Sequence, residues 1–146
     1  MRFEGTSNYV ATDDLKVELA WRQTWLQPKR LVSTVKLFHT RRVDNGEGWF
    51  DVDRMGMSAS LKYETQKFQI RGTARWTEYD YALERASPLD PELRTRSDLE
   101  LEGRLEYHFH RNWMAYFVYE YEQTRSNVVL DAYRMNTAFV GVEFEF

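Results

Sequence analysis

Few residues of this sequence have the type and spacing that catalysis or metal binding requires. His108 and His110, two of the three histidines, would share one face of a continuous strand, where two imidazoles could hold a metal ion. No third ligand stands near them in sequence, and no serine stands beside a histidine as a hydrolase would need. The 146 residues contain no cysteine, which excludes a thiol nucleophile and a thiolate metal site. We therefore predict no catalytic residue, no metal site and no cofactor, and we expect the chain not to be an enzyme.

The most regular chemical feature of the chain is an alternation of apolar and charged side chains. Between Leu99 and Phe109, apolar residues or glycine occupy every second position, and acidic, basic or histidine residues occupy the positions between them. Because successive side chains of a strand point to opposite faces, this pattern predicts a strand with one apolar and one charged side. Six further segments alternate in the same way: 15–25, 31–38, 55–64, 68–76, 113–122 and 138–146.

Charged residues of neighbouring strands would meet on a shared face. Arg71 and Arg75 are expected beside the acidic residues of the next strand. If the strands close into a narrow barrel, these charges would form cross-strand ion pairs. In a wide barrel, the same charges would line water and set an ion preference. The residues predicted to face such a lumen are Arg71, Arg75, Glu100, Glu102, Arg104, Glu106, Glu120, Glu122 and Glu143.

The predicted strands, of about 10 to 13 residues, are longer than the usual five or six of globular proteins. A strand that crosses a bilayer at a tilt needs about 9–11 residues, whereas no segment approaches the roughly 20 apolar residues of a transmembrane helix. Aromatic residues make up 16% of the chain, and those near strand ends predict a girdle at the membrane interfaces. This girdle comprises Trp21, Trp25, Trp76, Tyr107, Phe109, Trp113, Tyr119 and Tyr121.

The formal net charge of −3 argues against nucleic-acid binding.

The connections between the predicted strands alternate in length. Short turns are predicted at 27–30, 65–67 and 110–112, and long connections at 41–53, 82–96 and 124–132. Every short turn would therefore lie at one end of the sheet and every long connection at the other. Outer-membrane barrels have this asymmetry, with short periplasmic turns and longer extracellular loops.

The C-terminal segment resembles the terminal strand of bacterial outer-membrane proteins, in which alternating apolar residues precede a final aromatic. Val140, Val142, Phe144 and Phe146 match that signal. The preceding segment, from Tyr119 through Ser126 and Asn127 to Asn136, resembles the last hairpin of porin-like barrels. The resemblance implies a Gram-negative outer-membrane location, insertion by the barrel-insertion machinery, and contact with outer-membrane lipid and lipopolysaccharide. The rest of the chain matches such barrels in pattern only.

The strand count bears on how such a barrel would close. Seven full strands are predicted, but single-chain bacterial barrels normally have an even number. Residues 1–14 are predicted to contain the end of an eighth strand and an outer loop, without a signal peptide before them. We therefore predict one domain over residues 1–146, an all-β, antiparallel up-and-down transmembrane β-barrel or the C-terminal portion of one. Preceding strands, or further copies of the chain, would then complete the ring.

The predicted function is that of a porin-like channel or barrel scaffold with a polar, charged lumen. One alternative is a non-conducting barrel that serves an export or electron-conduit assembly. A second is a soluble, lipocalin-like barrel that binds a ligand in an apolar interior. Alternation does not say which face lies inside, so loop asymmetry, strand length and the terminal phenylalanine are what favour the membrane barrel.

Overall fold

The structure, a computed structural model, describes residues 12–26, 31–44, 51–87 and 90–144. Most of the predicted N-terminal stub and the predicted insertion-signal residue Phe146 lie outside these ranges. The strands are β1 (Thr12–Leu26), β2 (Leu31–Asp44), β3 (Val52–Glu64), β4 (Phe68–Ser87), β5 (Asp90–His110), β6 (Trp113–Ser126) and β7 (Tyr133–Phe144), with a 3-10 turn at Val129–Asp131. None of the described residues belongs to a helix long and apolar enough to cross a membrane.

The seven strands form one sheet in which each strand pairs antiparallel with its neighbour in the chain, in the order β1 to β7. This confirms the prediction of seven antiparallel up-and-down strands. Within the described part of the chain, β1 and β7 are the two edges of the sheet and do not pair with each other. Closure of the sheet into a ring stays a prediction.

The register of the strands separates the side chains into two faces. Leu19 pairs with Leu37, and the same row continues through Met57, Trp76 and Leu99. Because directly paired residues lie on the same side of a sheet, the alternating apolar positions of all seven strands share one face. We call this the apolar face, and we call the opposite side, which carries Lys36, Arg75, Glu100 and their row neighbours, the polar face.

Burial in this sheet is inverted relative to a soluble protein. The buried residues of the described ranges all lie on the polar face: Val32, Thr40, Gly56, Thr77, Asp98, Val118 and Thr124. On the apolar face, Leu19 is 71% exposed and Val140 is 81% exposed. A cavity of about 720 Å³ is lined by residues of every strand from β1 to β6, most of them on the polar face. The sheet is therefore curled with its polar face on the concave side, the reverse of a lipocalin-like interior.

The prediction of a long connection over residues 82–96 is wrong. β4 continues to Ser87 and β5 begins at Asp90, so the two strands extend beyond their neighbours as a ribbon with irregular register, and Pro91 lies inside β5. Side-chain contacts hold this ribbon where the alternation of the sequence is weak. Arg94 forms ion pairs with Glu84 and Asp131, and its guanidinium lies 4.7 Å from the ring centroid of Tyr81.

Candidate functional site

The nine residues predicted to face a lumen all lie on the polar face. Arg71 pairs with Arg104, and Arg75 pairs with Glu100, across the β4–β5 boundary. On the next boundary, β5–β6, Glu100 pairs with Glu122 and Glu102 with Glu120. Glu106 lies opposite Gln69, whose side chain donates a hydrogen bond to it, and Glu143 lies opposite Met114.

The expected ion pairs of Arg71 and Arg75 are not present among the described residues. Arg71 faces another arginine, and the guanidinium of Arg75 lies over the ring of Phe38 at 5.2 Å, directed towards β2 and away from Glu100. The ion pairs that do form on this face are local. Arg104 pairs with Glu106 on its own strand at 2.6 Å, and Glu18 is shared by Lys16 and Lys36 at 2.9 and 3.1 Å.

These local pairs leave two groups of unpaired charge on the polar face of the described sheet. Arg54, Arg71 and Arg75 form the basic wall, on β3 and β4. Glu100, Glu102, Glu120 and Glu122 form the acidic wall, on β5 and β6. Directly opposed carboxylates destabilise a sheet, so the acidic wall does not stabilise the fold. Its charge is available to a solute on the concave side.

Both walls contribute to the lining of the cavity. Arg54 and Arg75 line it from β3 and β4, and all four carboxylates of the acidic wall line it from the adjacent strands β5 and β6. The other charged residues of the lining are in ion pairs: Lys16 and Lys36 with Glu18, and Asp14 with Arg42. The Nε atom of Arg54 is buried and has no hydrogen-bond partner within the ranges that the structure describes. Buried donors are normally satisfied, so this nitrogen is an exception to the usual pattern.

Aromatic residues form a continuous row across the turn end of the apolar face. The ring centroids of Phe68 and Tyr107 are 4.7 Å apart, those of Tyr107 and Phe109 are 6.4 Å apart, and those of Phe109 and Trp113 are 6.4 Å apart. Trp113 then contacts Phe144 at 4.8 Å. Sequence reasoning did not include Phe68 in the predicted girdle, although its place at the start of an alternating segment was a usable signal.

The other residues of the predicted girdle lie elsewhere on the apolar face. Trp21 and Trp76 lie in the middle rows of the sheet, and Trp25 donates a hydrogen bond from Nε1 to Ser33 Oγ at 2.8 Å. The hydroxyls of Tyr119 and Tyr121 bond to the side chains of Asn136 and Gln123, both at 3.0 Å. Their rings thus lie on the apolar face while their hydroxyls reach polar groups nearer the long-connection end.

The boundary of the apolar face towards the long connections runs obliquely across the strands. On β1 the last apolar residue in this direction is Leu15, and on β7 it is Ala138. The row that contains Ala138 reaches β1 at Gln23, eight residues further along that strand than Leu15. At about 3.3 Å per residue and about 4.8 Å between strands, this shift over six strand spacings corresponds to a strand tilt of roughly 40° from the perpendicular to the boundary. We call the zone of apolar residues bordered by this boundary the apolar band. The apolar part of β5, from Leu99 to Phe109, gives the band a height of about 25 Å at this tilt.

Charged and polar side chains beyond this apolar band link neighbouring strands at the long-connection end. Arg42 donates two hydrogen bonds to the carboxylate of Asp14, at 2.8 and 3.0 Å, and these keep the pKa of Asp14 below its ordinary value. Asn127 bonds to the backbone of Thr95 and Leu93. The β4–β5 ribbon is thereby joined to the connection between β6 and β7.

Asp98 is the most highly connected carboxylate of the polar face. It is 8% exposed, accepts two hydrogen bonds from Arg96 at 2.9 Å each, and accepts a third from Thr124 Oγ1 at 2.7 Å. Arg96 in turn lies over the ring of Tyr79 at 5.2 Å. This cluster ties β4, β5 and β6 together at the base of the ribbon.

We expect Asp98→Ala to lower the free energy of unfolding by about 2–4 kcal/mol, because Arg96 and Thr124 lose the acceptor of their hydrogen bonds. Glu64→Ala is the matched control. It removes an exposed carboxylate whose pair with Lys62 is screened by water, so we expect little change. Urea unfolding in detergent micelles, followed by circular dichroism, measures both variants. Equal midpoints for the two would contradict a structural role of Asp98.

Histidines provide no metal centre in the described residues. The register shifts between His108, which pairs with Met114, and His110, which pairs with Trp113, so the regular spacing that would align the two imidazoles is interrupted. Within the described ranges no group of three or more histidine, cysteine or acidic residues could hold a metal ion.

Comparison of the chain with protein-family models, with curated proteins and with solved structures finds no match. The arrangement of the site therefore carries the functional argument alone. It offers a concave, water-accessible surface with opposed charges, backed by an apolar surface that no other described part of the chain covers.

Proposed function

We propose that the chain forms all or part of an outer-membrane β-barrel with a polar, charged lumen, acting as a porin-like channel or a barrel scaffold. The observation that carries the proposal is the inverted burial of the sheet. Every buried described residue lies on the polar, concave face, while large apolar side chains from all seven strands are exposed on the other. Apolar surface of this extent requires an apolar medium or a partner, and the hydrocarbon of a bilayer supplies the first.

The dimensions of the apolar band support a bilayer as that medium. A tilt of roughly 40° and a height of about 25 Å match the 35–45° tilt and the ~25 Å band of transmembrane barrels. The aromatic row from Phe68 to Phe144 borders the band at the turn end. Aromatic rings favour the headgroup level of a membrane, which is where this border would lie.

The open edges of the sheet must be paired in such a barrel. Backbone N–H and C=O groups left unpaired in hydrocarbon cost several kcal/mol each, so β1 and β7 would need partners. These two strands run in the same direction, because an even number of reversals separates them. Direct pairing would therefore be parallel, and only an odd number of added strands would keep every pair antiparallel. Such strands would come from outside the described residues or from other chains.

The first test of the proposal is refolding with and without detergent micelles. We expect a β-rich species, by circular dichroism, that migrates differently on a denaturing gel before and after heating and that forms only with detergent. A monomeric β fold in plain buffer would overturn the membrane proposal. A detergent-folded protein that gives no conductance in planar bilayers would favour a scaffold over a channel.

Ion selectivity tests the channel itself. We expect the double variant Arg71→Gln/Arg75→Gln to raise the cation-over-anion permeability ratio by about two- to fivefold in planar bilayers, because two unpaired cations leave the concave face. Arg41→Gln, on the apolar-face side of β2, is the control and should leave the ratio unchanged. An unchanged ratio in the double variant would remove Arg71 and Arg75 from the conducting path.

A further inference from the structure

The charges of the cavity lining that are not in ion pairs are basic on β3 and β4 and acidic on β5 and β6. Arg54 and Arg75 stand on β3 and β4, and the carboxylates of Glu100, Glu102, Glu120 and Glu122 stand on β5 and β6. No ion pair within the described residues joins the two sides: Arg75 contacts the ring of Phe38, and Arg54 Nε is buried without an acceptor. The basic and the acidic wall therefore do not neutralise each other through ion pairs.

We propose that this cavity binds small zwitterionic solutes, with their anionic group at Arg54 and Arg75 and their cationic group at the acidic wall. A guanidinium presents several N–H donors to a carboxylate or phosphate, and the guanidinium-bearing residues Arg54 and Arg75 both line the cavity. Four carboxylates on two adjacent strands attract an ammonium group and are relieved of mutual repulsion when it binds. A solute with a single charge is attracted by one side and repelled by the other.

A contact with an aromatic ring holds one cation of the site, Arg75, in place. Phe38 lies beneath the guanidinium of Arg75, and a Cβ on Gly56 would come within 2.5 Å of the ring, so the ring occupies the space that Gly56 leaves. Arg75 is therefore held by a cation–π contact on the β2 side of the cavity. This keeps it apart from Glu100, the carboxylate that it faces across the strand boundary.

The inference deepens the proposed function, because the cavity would be part of the lumen, and binding tests it separately from conductance. The probes are ε-aminocaproate, which carries both charges at opposite ends of an aliphatic chain, and caproate and hexylamine, which carry one each. Isothermal titration at low ionic strength uses the full chain in whichever medium folds it. We expect ε-aminocaproate to bind roughly tenfold more tightly than either single-charge probe, and added salt to reduce the difference.

Charge-neutralising variants assign the two ends of the solute. Arg75→Gln should remove the advantage of ε-aminocaproate over hexylamine, and Glu100→Gln/Glu120→Gln should remove its advantage over caproate. Arg54→Gln is a second test of the basic side if Arg75→Gln does not fold. Arg22→Gln, on the polar face away from the cavity, and Glu78→Gln, on the apolar-face side, are the matched controls and should keep the wild-type order.

Equal affinity for the three probes in the wild-type chain, or variants indistinguishable from their controls, would overturn the inference and leave the membrane proposal intact. A fold that forms in plain buffer would overturn the membrane proposal, while the same titrations in buffer would still decide the inference. A conducting pore without zwitterion preference counts against the inference alone.

Discussion

Arginine in place of Ala74 should strongly destabilise the detergent-dependent folded species, whereas arginine in place of the adjacent Thr73 should be tolerated. Ala74 lies in the middle of the apolar face between Ala59 and Leu101, and Thr73 lies on the polar face opposite Glu102. A cation at the middle of a bilayer-facing band costs about 2–4 kcal/mol. This is a large part of the stability of a small domain. On the polar face, the same side chain can reach water and a carboxylate.

The two variants differ only in the face of the sheet that receives the arginine, because the two positions are consecutive in one strand. Heat-modifiable migration and the far-ultraviolet circular dichroism signal, recorded over a series of detergent concentrations, report the folded fraction of each variant. The result that would contradict the assignment of faces is the reverse order, with Thr73→Arg unfolded and Ala74→Arg folded. Equal behaviour of both variants would show that the apolar face does not contact detergent.

Alanine in place of Gly56 should lower the free energy of unfolding by about 2–3 kcal/mol, the typical cost of overpacking a tight site. A Cβ at this position would lie 2.4 Å from the backbone oxygen of Trp76 and 2.5 Å from Cζ of Phe38. The backbone oxygen cannot move without disturbing the β3–β4 pairing. Displacement of Phe38 would also remove the support beneath Arg75, so we expect altered ion selectivity in any folded fraction.

Gly103 provides the control for this substitution. It lies in the interior of β5, and a Cβ built there meets no heavy atom within 4 Å. Gly103→Ala should therefore be neutral or stabilise the chain by up to about 0.5–1 kcal/mol, since alanine loses less backbone freedom on folding than glycine does. Urea titrations of both variants in the same detergent measure the difference. A Gly56→Ala midpoint equal to that of Gly103→Ala would mean that Phe38 does not pack over Gly56.

Alternation predicted the strands and the two faces well, because a helix cannot place every second side chain on one face over about ten residues. It could not predict which face is concave, since exchanging inside and outside leaves the pattern unchanged. Alternation also could not predict which side chain Arg75 contacts. Its contact with Phe38 depends on a glycine on a third strand, and only the register brings Gly56, Phe38 and Arg75 together.

The ribbon formed by the ends of β4 and β5 was missed for a different reason. Residues 82–96 contain two prolines and no clear alternation, which is typical of a loop. The extension depends on Arg94, whose partners Glu84 and Asp131 are ten and thirty-seven residues away in the chain. Contacts between distant residues of this kind leave no local periodicity in the sequence.

The simple strand order of the sheet has a consequence for how such a chain could change over evolutionary time. Each described strand pairs only with its immediate neighbours in the chain, so one hairpin is a unit that depends on no distant segment. Duplication or loss of a hairpin would add or remove two strands, widen or narrow the sheet, and leave every remaining pair antiparallel. The charges of the polar face would then be copied or deleted two strands at a time, so that the width of the sheet and the electrostatic character of its concave face would be inherited together.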